Sequence, residues 1–172
     1  PVIHVQEERY GNAILTHLPL KLIKAGNLPL LANRPSYEPR GVIWGAVQVK
    51  GTKVHIINTH FGFRKEEQLP QVKALLSQDW LRGIDDQEPI ILCGDFNFSP
   101  NTPAYNLLVE RFQDLQIELN GHRPLKTFAG RFPSARIDYI FANTRINTLN
   151  IQVPRTHLTR NASDHLPLIA DV

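Results

Sequence analysis

Four short stretches set amide or titratable side chains against apolar runs: Asn58-Thr59-His60, Gly94-Asp95-Phe96-Asn97, Arg136-Ile137-Asp138 and Ser163-Asp164-His165. Asp95 and Asn97 are two residues apart, so an extended backbone presents both on one side. A carboxylate held this way can orient a water or a hard cation, and the amide beside it can donate to an oxyanion. Asp and Asn also end strands by bonding their own backbone, so an ordinary turn is the competing reading. Asp138 stands between Ile137 and Tyr139-Ile140-Phe141, where a carboxylate is costly to bury unpaired. A histidine is its natural partner, because the carboxylate accepts the Nδ1 proton and orients the ring. The alternative is a salt bridge to Arg136 or Arg131. Ser163-Asp164-His165 is not a hydrolytic triad, since neighbours on an extended chain face opposite ways and no Gly-x-Ser-x-Gly elbow accompanies it. Asp164 as a metal ligand, with His165 facing substrate, fits the geometry better. No Cys/His zinc spacing is present, and the carboxylate and amide inventory favours a hard cation, Mg²⁺ or Mn²⁺.

These residues need rigid elements beneath them. Val2 to Val5 reads as a strand, Glu7-Glu8-Arg9 as a charged turn, and Tyr10 to Leu15 as the lead into a second strand ended by Pro19. Residues 21 to 41, rich in Pro, Gly and Asn, read as a long excursion with Leu28 to Leu31 as an apolar knot. The segment from 42 to 57 reads as a β-hairpin turning at Gly51-Thr52. Leu69, Val72, Leu75, Leu76 and Trp80 form a helical stripe over 65–81, with Pro70 tolerable in a first turn. Ile90 to Cys93 reads as a core strand, and Thr102 caps a helix that begins at Pro103. Residues 112 to 119 are ambiguous, and 126 to 128 form a short strand. Arg136 to Phe141, Ile146 to Val153 and Leu166 to Val172 read as strands. Four polar sites therefore sit at or near the ends of four strands, the arrangement of a ligand site at one edge of a sheet.

The 172 residues suit one domain with a substantial core, spanning residues 1–172. The net charge of +3 is compatible with a phosphate-bearing ligand without arguing for one. No apolar run has membrane-spanning length, and no signal-peptide pattern opens the chain. The chain reads as soluble, with the cytoplasm slightly favoured. Cys93, the single cysteine, lies in an apolar run and reads as a core residue rather than a nucleophile. The chain starts at Pro1 inside a β-like run and contains no methionine, so the expectation is a piece of a longer protein.

The ordered set formed by Asn58-Thr59-His60, Gly94-Asp95-Phe96-Asn97, Arg136 to Phe141 and Ser163-Asp164-His165-Leu166-Pro167 resembles the endonuclease/exonuclease/phosphatase superfamily of DNase I-like phosphoesterases. Tyr10 to Leu15 and Glu38-Pro39-Arg40-Gly41 extend the resemblance over nearly the whole chain. It implies an α/β (α+β) four-layer α/β/β/α sandwich that is N-terminally incomplete, about the C-terminal two-thirds of the usual domain. It also implies in-line attack of water on a phosphoester: nucleic acid, inositol phosphate or phospholipid headgroup. In that scheme His60 contacts the phosphate, Asp95 orients or deprotonates the water, and Asn97 binds a phosphate oxygen. Asp164 belongs to a Mg²⁺ or Mn²⁺ site, and His165 stands at the phosphate, oriented by Asp138. Asn58, Arg40 and Asn12 are the expected substrate-binding residues. The family's early Asn and Gln-Glu strands have no counterpart in place, and Gln6-Glu7 reads as a surface turn. The alternative function is a phosphate-binding module without turnover. The basic residues are dispersed, with no dense tract for nucleic acid.

Overall fold

A six-stranded mixed sheet carries the molecule, its strands ordered Leu20–Asn27, Gly41–Val49, Thr52–His60, Ile90–Asp95, Asp138–Ala142 and Gln113–Asp114. The structure is a computed structural model that describes residues 2–5, 8–31 and 38–172. Its central strands are β4 (Gly41–Val49), β5 (Thr52–His60), β6 (Ile90–Asp95) and β8 (Asp138–Ala142), flanked by β3 (Leu20–Asn27) and β7 (Gln113–Asp114). β4 and β5 form the expected hairpin. Its turn residues Lys50 and Gly51 both have positive φ, the conformation that two-residue hairpin turns demand. β5 and β6 run parallel while β8 returns antiparallel to β6. The C-terminal ends of β5 and β6 and the start of β8 therefore meet at one edge.

Helix α1 (Lys65–Leu75) and helix α2 (Pro103–Val109) pack on one face of this sheet. Alternation decides which side chains they cover. Val42, Ile57, Leu92, Tyr139 and Phe141 point toward the helices and join Val72, Leu75 and Leu108 in the main core. An aromatic group, Phe61, Phe96, Phe98, Tyr105, Tyr139 and Phe141, fills the space below the polar strand ends. On the opposite face, Ile140 and Ala142 of β8 pack against the small antiparallel sheet of β9 (Asn150–Gln152) and β10 (Ile169–Asp171), with Leu115 and Ile151 between them. The α+β class and its layering, helices then sheet then sheet, thus follow the alternation of apolar residues. The buried pair of Arg136 with Asp114, at 2.8 and 3.2 Å, receives the Tyr105 hydroxyl as well. Arg136 is therefore committed to Asp114, not to Asp138.

Several sequence expectations are corrected. β1 (Val2–Val5) is present, but Glu8-Arg9 belongs to strand β2 (Glu8–Gly11) rather than to a turn. The second strand expected from Tyr10 to Leu15 onward, ended by Pro19, is not formed: β2 stops at Gly11, and Leu15 is 96% exposed. Residues 21 to 41, expected as one long excursion, begin instead with a strand, β3 (Leu20–Asn27). It is an edge strand whose pairing shifts at Leu22/Lys24; that bulge breaks the two-residue alternation by which strands are read. Helix α1 stops at Leu75, and a short 3₁₀ turn at Leu81–Gly83 replaces its expected end. Pro70 lies in the second turn, not the first. Residues 126 to 128 form only bridge pairs with Ala135 and His165. The strands expected over 146–153 and 166–172 shorten to three residues each, and two short helices, α3 (Leu115–Glu118) and α4 (His157–Ala162), appear instead of the ambiguous and unassigned stretches. Gln6-Glu7 and Arg34 lie outside the described residues.

Candidate active site

The parallel register of β5 and β6 puts His60 opposite Asp95, and the antiparallel register of β8 puts Asp138 on the other side of Asp95. Three neighbouring strands thus deliver imidazole, carboxylate and carboxylate in one row. Asn58 shares the face of His60 two residues earlier. A cleft of about 710 Å³ opens over this row, lined by Asn12, Asn58, His60, Asp95, Asn97, Asp138, Asp164 and His165, with Phe63 and Phe128 among its other residues. Eight of the nine side chains named from the sequence stand on its wall. Arg40 does not; it is buried behind His60.

Gly94 lets the row close up. Its φ is +147°, and a Cβ there would lie 1.9 Å from the Thr59 carbonyl oxygen. Gly94→Ala is expected to lose roughly 4 kcal/mol of stability through backbone strain and overpacking. Urea unfolding measures this directly, and a loss below about 1 kcal/mol contradicts the packing described.

Both readings of Asp95 and Asn97 prove compatible. Asp95 Oδ1 accepts the Asn97 backbone N–H at 2.9 Å, the local turn bond. Oδ2 is left to face His60 Nε2 at 3.4 Å and His165 Nε2 at 3.9 Å. Asn97 adopts a left-handed φ of 52°, which Asn tolerates better than most residues. Its Nδ2 donates to the Phe61 carbonyl at 2.9 Å; the second amide hydrogen remains for a ligand. Asn12 Nδ2 donates to Asn58 Oδ1 at 3.0 Å, so these two amides act as one unit.

The two histidines are held differently. Arg40 Nη1 lies 2.9 Å from His60 Nε2 and 3.1 Å from Nδ1, while Nη2 is paired with Glu38 at 2.9 Å. Burial, then the Arg40 charge and then His165, lower the His60 pKa to about 4, so this ring is neutral at pH 7. His165 has the opposite bias. Burial alone would lower it, but the Asp138 hydrogen bond and the charges of Asp138, Asp95 and Asp164 raise its pKa. Asp138 Oδ2 accepts from His165 Nδ1 at 2.8 Å and from the Thr127 hydroxyl at 2.5 Å. Burial, followed by the charge of Asp138, pushes Asp95 up to about 6. Burial also raises the Cys93 thiol, which keeps it protonated and inert at neutral pH.

Four positioning residues were not identified from the sequence. Thr127 is fully buried and fixes Asp138. Gln68 donates to the carbonyls of Gly62 and Asn97, and Gln71 accepts from the Gly62 N–H; these two glutamines of α1 tie the loops after β5 and β6 together. Their signal was available: two polar residues three apart, on the same helical face as Val72 and Leu75. Phe128 packs its ring 5.0 Å from that of His165.

Asp95, Asp138 and His165 offer ligand atoms within 4.8 Å of one another, an acid-and-imidazole cluster suited to a divalent cation. Asp164 lines the cleft from an exposed position outside that cluster. Asp138 Oδ2 is already used, so Asp95 Oδ2 and Asp164 are the carboxylate groups freest to ligate. The donor set fits a hard cation.

Comparison with known proteins places this geometry. The model of the endonuclease/exonuclease/phosphatase family matches residues 2–165. The uncharacterized protein YbhP of Escherichia coli K12 is 28% identical over 169 residues, 96% of this chain and 64% of its own length. The chain thus spans less than two-thirds of that relative's length. Among solved structures, the mannosyl-6-phosphatase Bt3783 of Bacteroides thetaiotaomicron shares the fold with a TM-score of 0.71 at 20% identity, covering 88% of this chain and 66% of that one. The human Nocturnin catalytic domain with bound sulfate gives 0.62 at 23% identity, covering 88% and 58%.

Proposed function

Because the chain belongs to the endonuclease/exonuclease/phosphatase family, we propose that its cleft hydrolyses a phosphoester by in-line attack of water, with Mg²⁺ or Mn²⁺ as cofactor. One observation carries the proposal: a single carboxylate, Asp95, faces a neutral His60 and a His165 whose pKa is raised. A base and an acid on one scissile centre are what water attack with leaving-group departure requires. A carboxylate raised to about 6 is still ionised at neutral pH and more basic than an ordinary aspartate. It orients the water and takes its proton. His165, its pKa raised and its ring aimed by Asp138, donates to a phosphate oxygen and offsets charge developing there. Neutral His60 serves as a hydrogen-bonding group locked by Arg40, so Arg40 acts through His60 rather than on substrate. The free amide hydrogen of Asn97 and the Asn12–Asn58 pair bind the remaining phosphate oxygens. Asp164 would hold the cation, which supplies Lewis-acid polarisation of the phosphoryl group.

The phosphatase name of one structural neighbour and the sulfate bound to another agree with a phosphoryl ligand. Substrates to be compared are nucleic acid, inositol phosphates and phospholipid headgroups. The second reading, a phosphate-binding module without turnover, is favoured by the small number of carboxylates free to ligate a cation. The decisive assay is hydrolysis of bis-p-nitrophenyl phosphate, plasmid DNA and inositol phosphates with Mg²⁺ or Mn²⁺, against an Asp95→Ala control. Activity no higher than that control on every substrate defeats the enzyme reading. Mg²⁺ itself is expected to bind with millimolar affinity, since so few carboxylates reach it; micromolar affinity by calorimetry contradicts that ligand count.

A further inference from the structure

Phe63 lines the cleft and is 69% exposed, while Phe61, two residues earlier, is wholly buried in the core. A single exposed ring is ordinary on a protein surface. Three observations set Phe63 apart.

The first is what the ring does not do. Phe63 immediately precedes Arg64, the N-cap of α1. An apolar residue there commonly packs on a second one at the fourth helical position, forming a hydrophobic staple. That position holds Gln68, which is buried and donates to the Phe63 carbonyl at 3.4 Å. The Phe63 ring therefore has no staple to make and turns to the cleft instead.

The second is how firmly the loop is held. Gln71 accepts from the Gly62 N–H at 2.9 Å, and Gln68 also donates to the Gly62 carbonyl at 3.1 Å. The backbone that carries the ring is fixed before any ligand arrives, which lowers the ordering cost of a contact.

The third is where the ring stands. Its centroid is 6.3 Å from that of His60, with the planes at 85°. The Arg40 guanidinium lies over it at 5.0 Å. Arg40 thus takes one face, and the other is open to the cleft. Phe128, the second aromatic ring of the wall, is engaged with His165 and in bridge pairs.

We infer that Phe63 is a specificity-determining residue of this cleft. Its open face is the wall on which the alcohol part of the phosphoester lies, and it selects alcohols with a flat apolar face over small polar ones. The inference rests on the phosphoester reading, which puts the phosphate at His60; a group esterified to that phosphate is within reach of the neighbouring ring. No bond is made or broken at Phe63.

The test is calorimetric binding of phenyl phosphate and of inorganic phosphate, in EDTA at about pH 8. The parent chain is expected to bind phenyl phosphate roughly tenfold more tightly, the worth of one aromatic contact. Phe63→Ala should erase that preference and leave inorganic phosphate within about twofold of the parent, while Phe63→Tyr should restore it. Phe132→Ala removes an exposed ring that is absent from the cleft wall and should bind like the parent. Circular dichroism confirms that each variant is folded. A preference that survives Phe63→Ala overturns the inference. So does equal weakening of both ligands, which would mean that the ring only steadies Arg40 and His60. A parent chain that binds neither ligand, or both alike, overturns it too. Failure of the two proposals is separable. A preference dependent on Phe63 without any bis-p-nitrophenyl phosphate hydrolysis removes the hydrolase and keeps the wall; hydrolysis without the preference does the reverse.

Discussion

Replacing Asp95 with Asn is expected to abolish hydrolysis and, in metal-free buffer, to make the protein more stable at pH 8. The loss of activity follows from the base: Asn cannot take a proton, and general-base catalysis is worth roughly 10²–10⁴-fold. The gain in stability follows from electrostatics. Burial and the neighbouring Asp138 charge raise the Asp95 pKa from 3.8 to about 6, so the fold prefers the protonated form. Such a group stabilises fully below its unfolded pKa, and that contribution is lost as pH rises through the folded value. Above about pH 6 the ionised carboxylate therefore costs the native state about 2–3 kcal/mol. Asn keeps the oxygen that accepts from the Asn97 N–H and carries no charge. The expected rise in melting temperature at pH 8 is about 5 °C, shrinking to nothing near pH 4. His60 works in the opposite sense. Its pKa is lowered to about 4, so the stability it gives is present above pH 6.5 and lost as pH falls toward 4. The parent chain should show a flattened profile between pH 4 and 6, and Asp95→Asn should uncover the His60 slope. Equal destabilisation of the variant at pH 4 and pH 8 would show that Asp95 carries no electrostatic cost.

The second large effect belongs to Asp138→Asn. Asp138 raises the pKa of both His165 and Asp95, one as a hydrogen-bonded counter-charge and the other as a like charge. Removing its charge should lower both together. His165 is then a weaker proton carrier, and kcat/KM at pH 7.5 is expected to fall by about 10²–10³, mostly in kcat. The pH–rate profile should shift bodily to lower pH as well as lose height. Titration of the His165 Cε1–H resonance gives an independent readout that a merely structural role would not move. A profile lowered in height with both limbs unmoved, and an unmoved resonance, would refute the coupling.

Much of this site could be read from residue types because strand alternation and register do the positioning. The apolar run before Asp95, the His60 and Asn58 spacing, and a carboxylate at Asp138 that needed a histidine all follow from short-range rules. What escaped depended on long-range partners. Thr127 has no local signature, since an isolated Thr before Phe128 reads only as a strand former, yet it holds Asp138 from 11 residues away. Arg40 was placed at the site but not behind it, because burial of a guanidinium depends on Glu38 and on the stacking of Phe63, whose ring lies 5.0 Å from it. β3 was missed because a bulge erased its period. The short strands β9 and β10 were overextended because apolar residues at Ile146 and Leu168 pack into the second core from outside the ladder.

His60 ends β5, a central strand paired with β4 as far as Thr59 and with β6 through His60 itself. His165 sits in irregular backbone, held by its Phe128 bridge, by Leu166 N–H to Thr127 and by the Asp138 contact. The two halves of the cleft therefore belong to regions that open at different free-energy cost. Amide deuterium uptake should be slow through 55–60 and 90–95, requiring disruption of the whole ladder, and much faster through 157–165. The wall carrying His165 is the half able to breathe, while the strand ends carrying His60 and Asp95 remain fixed.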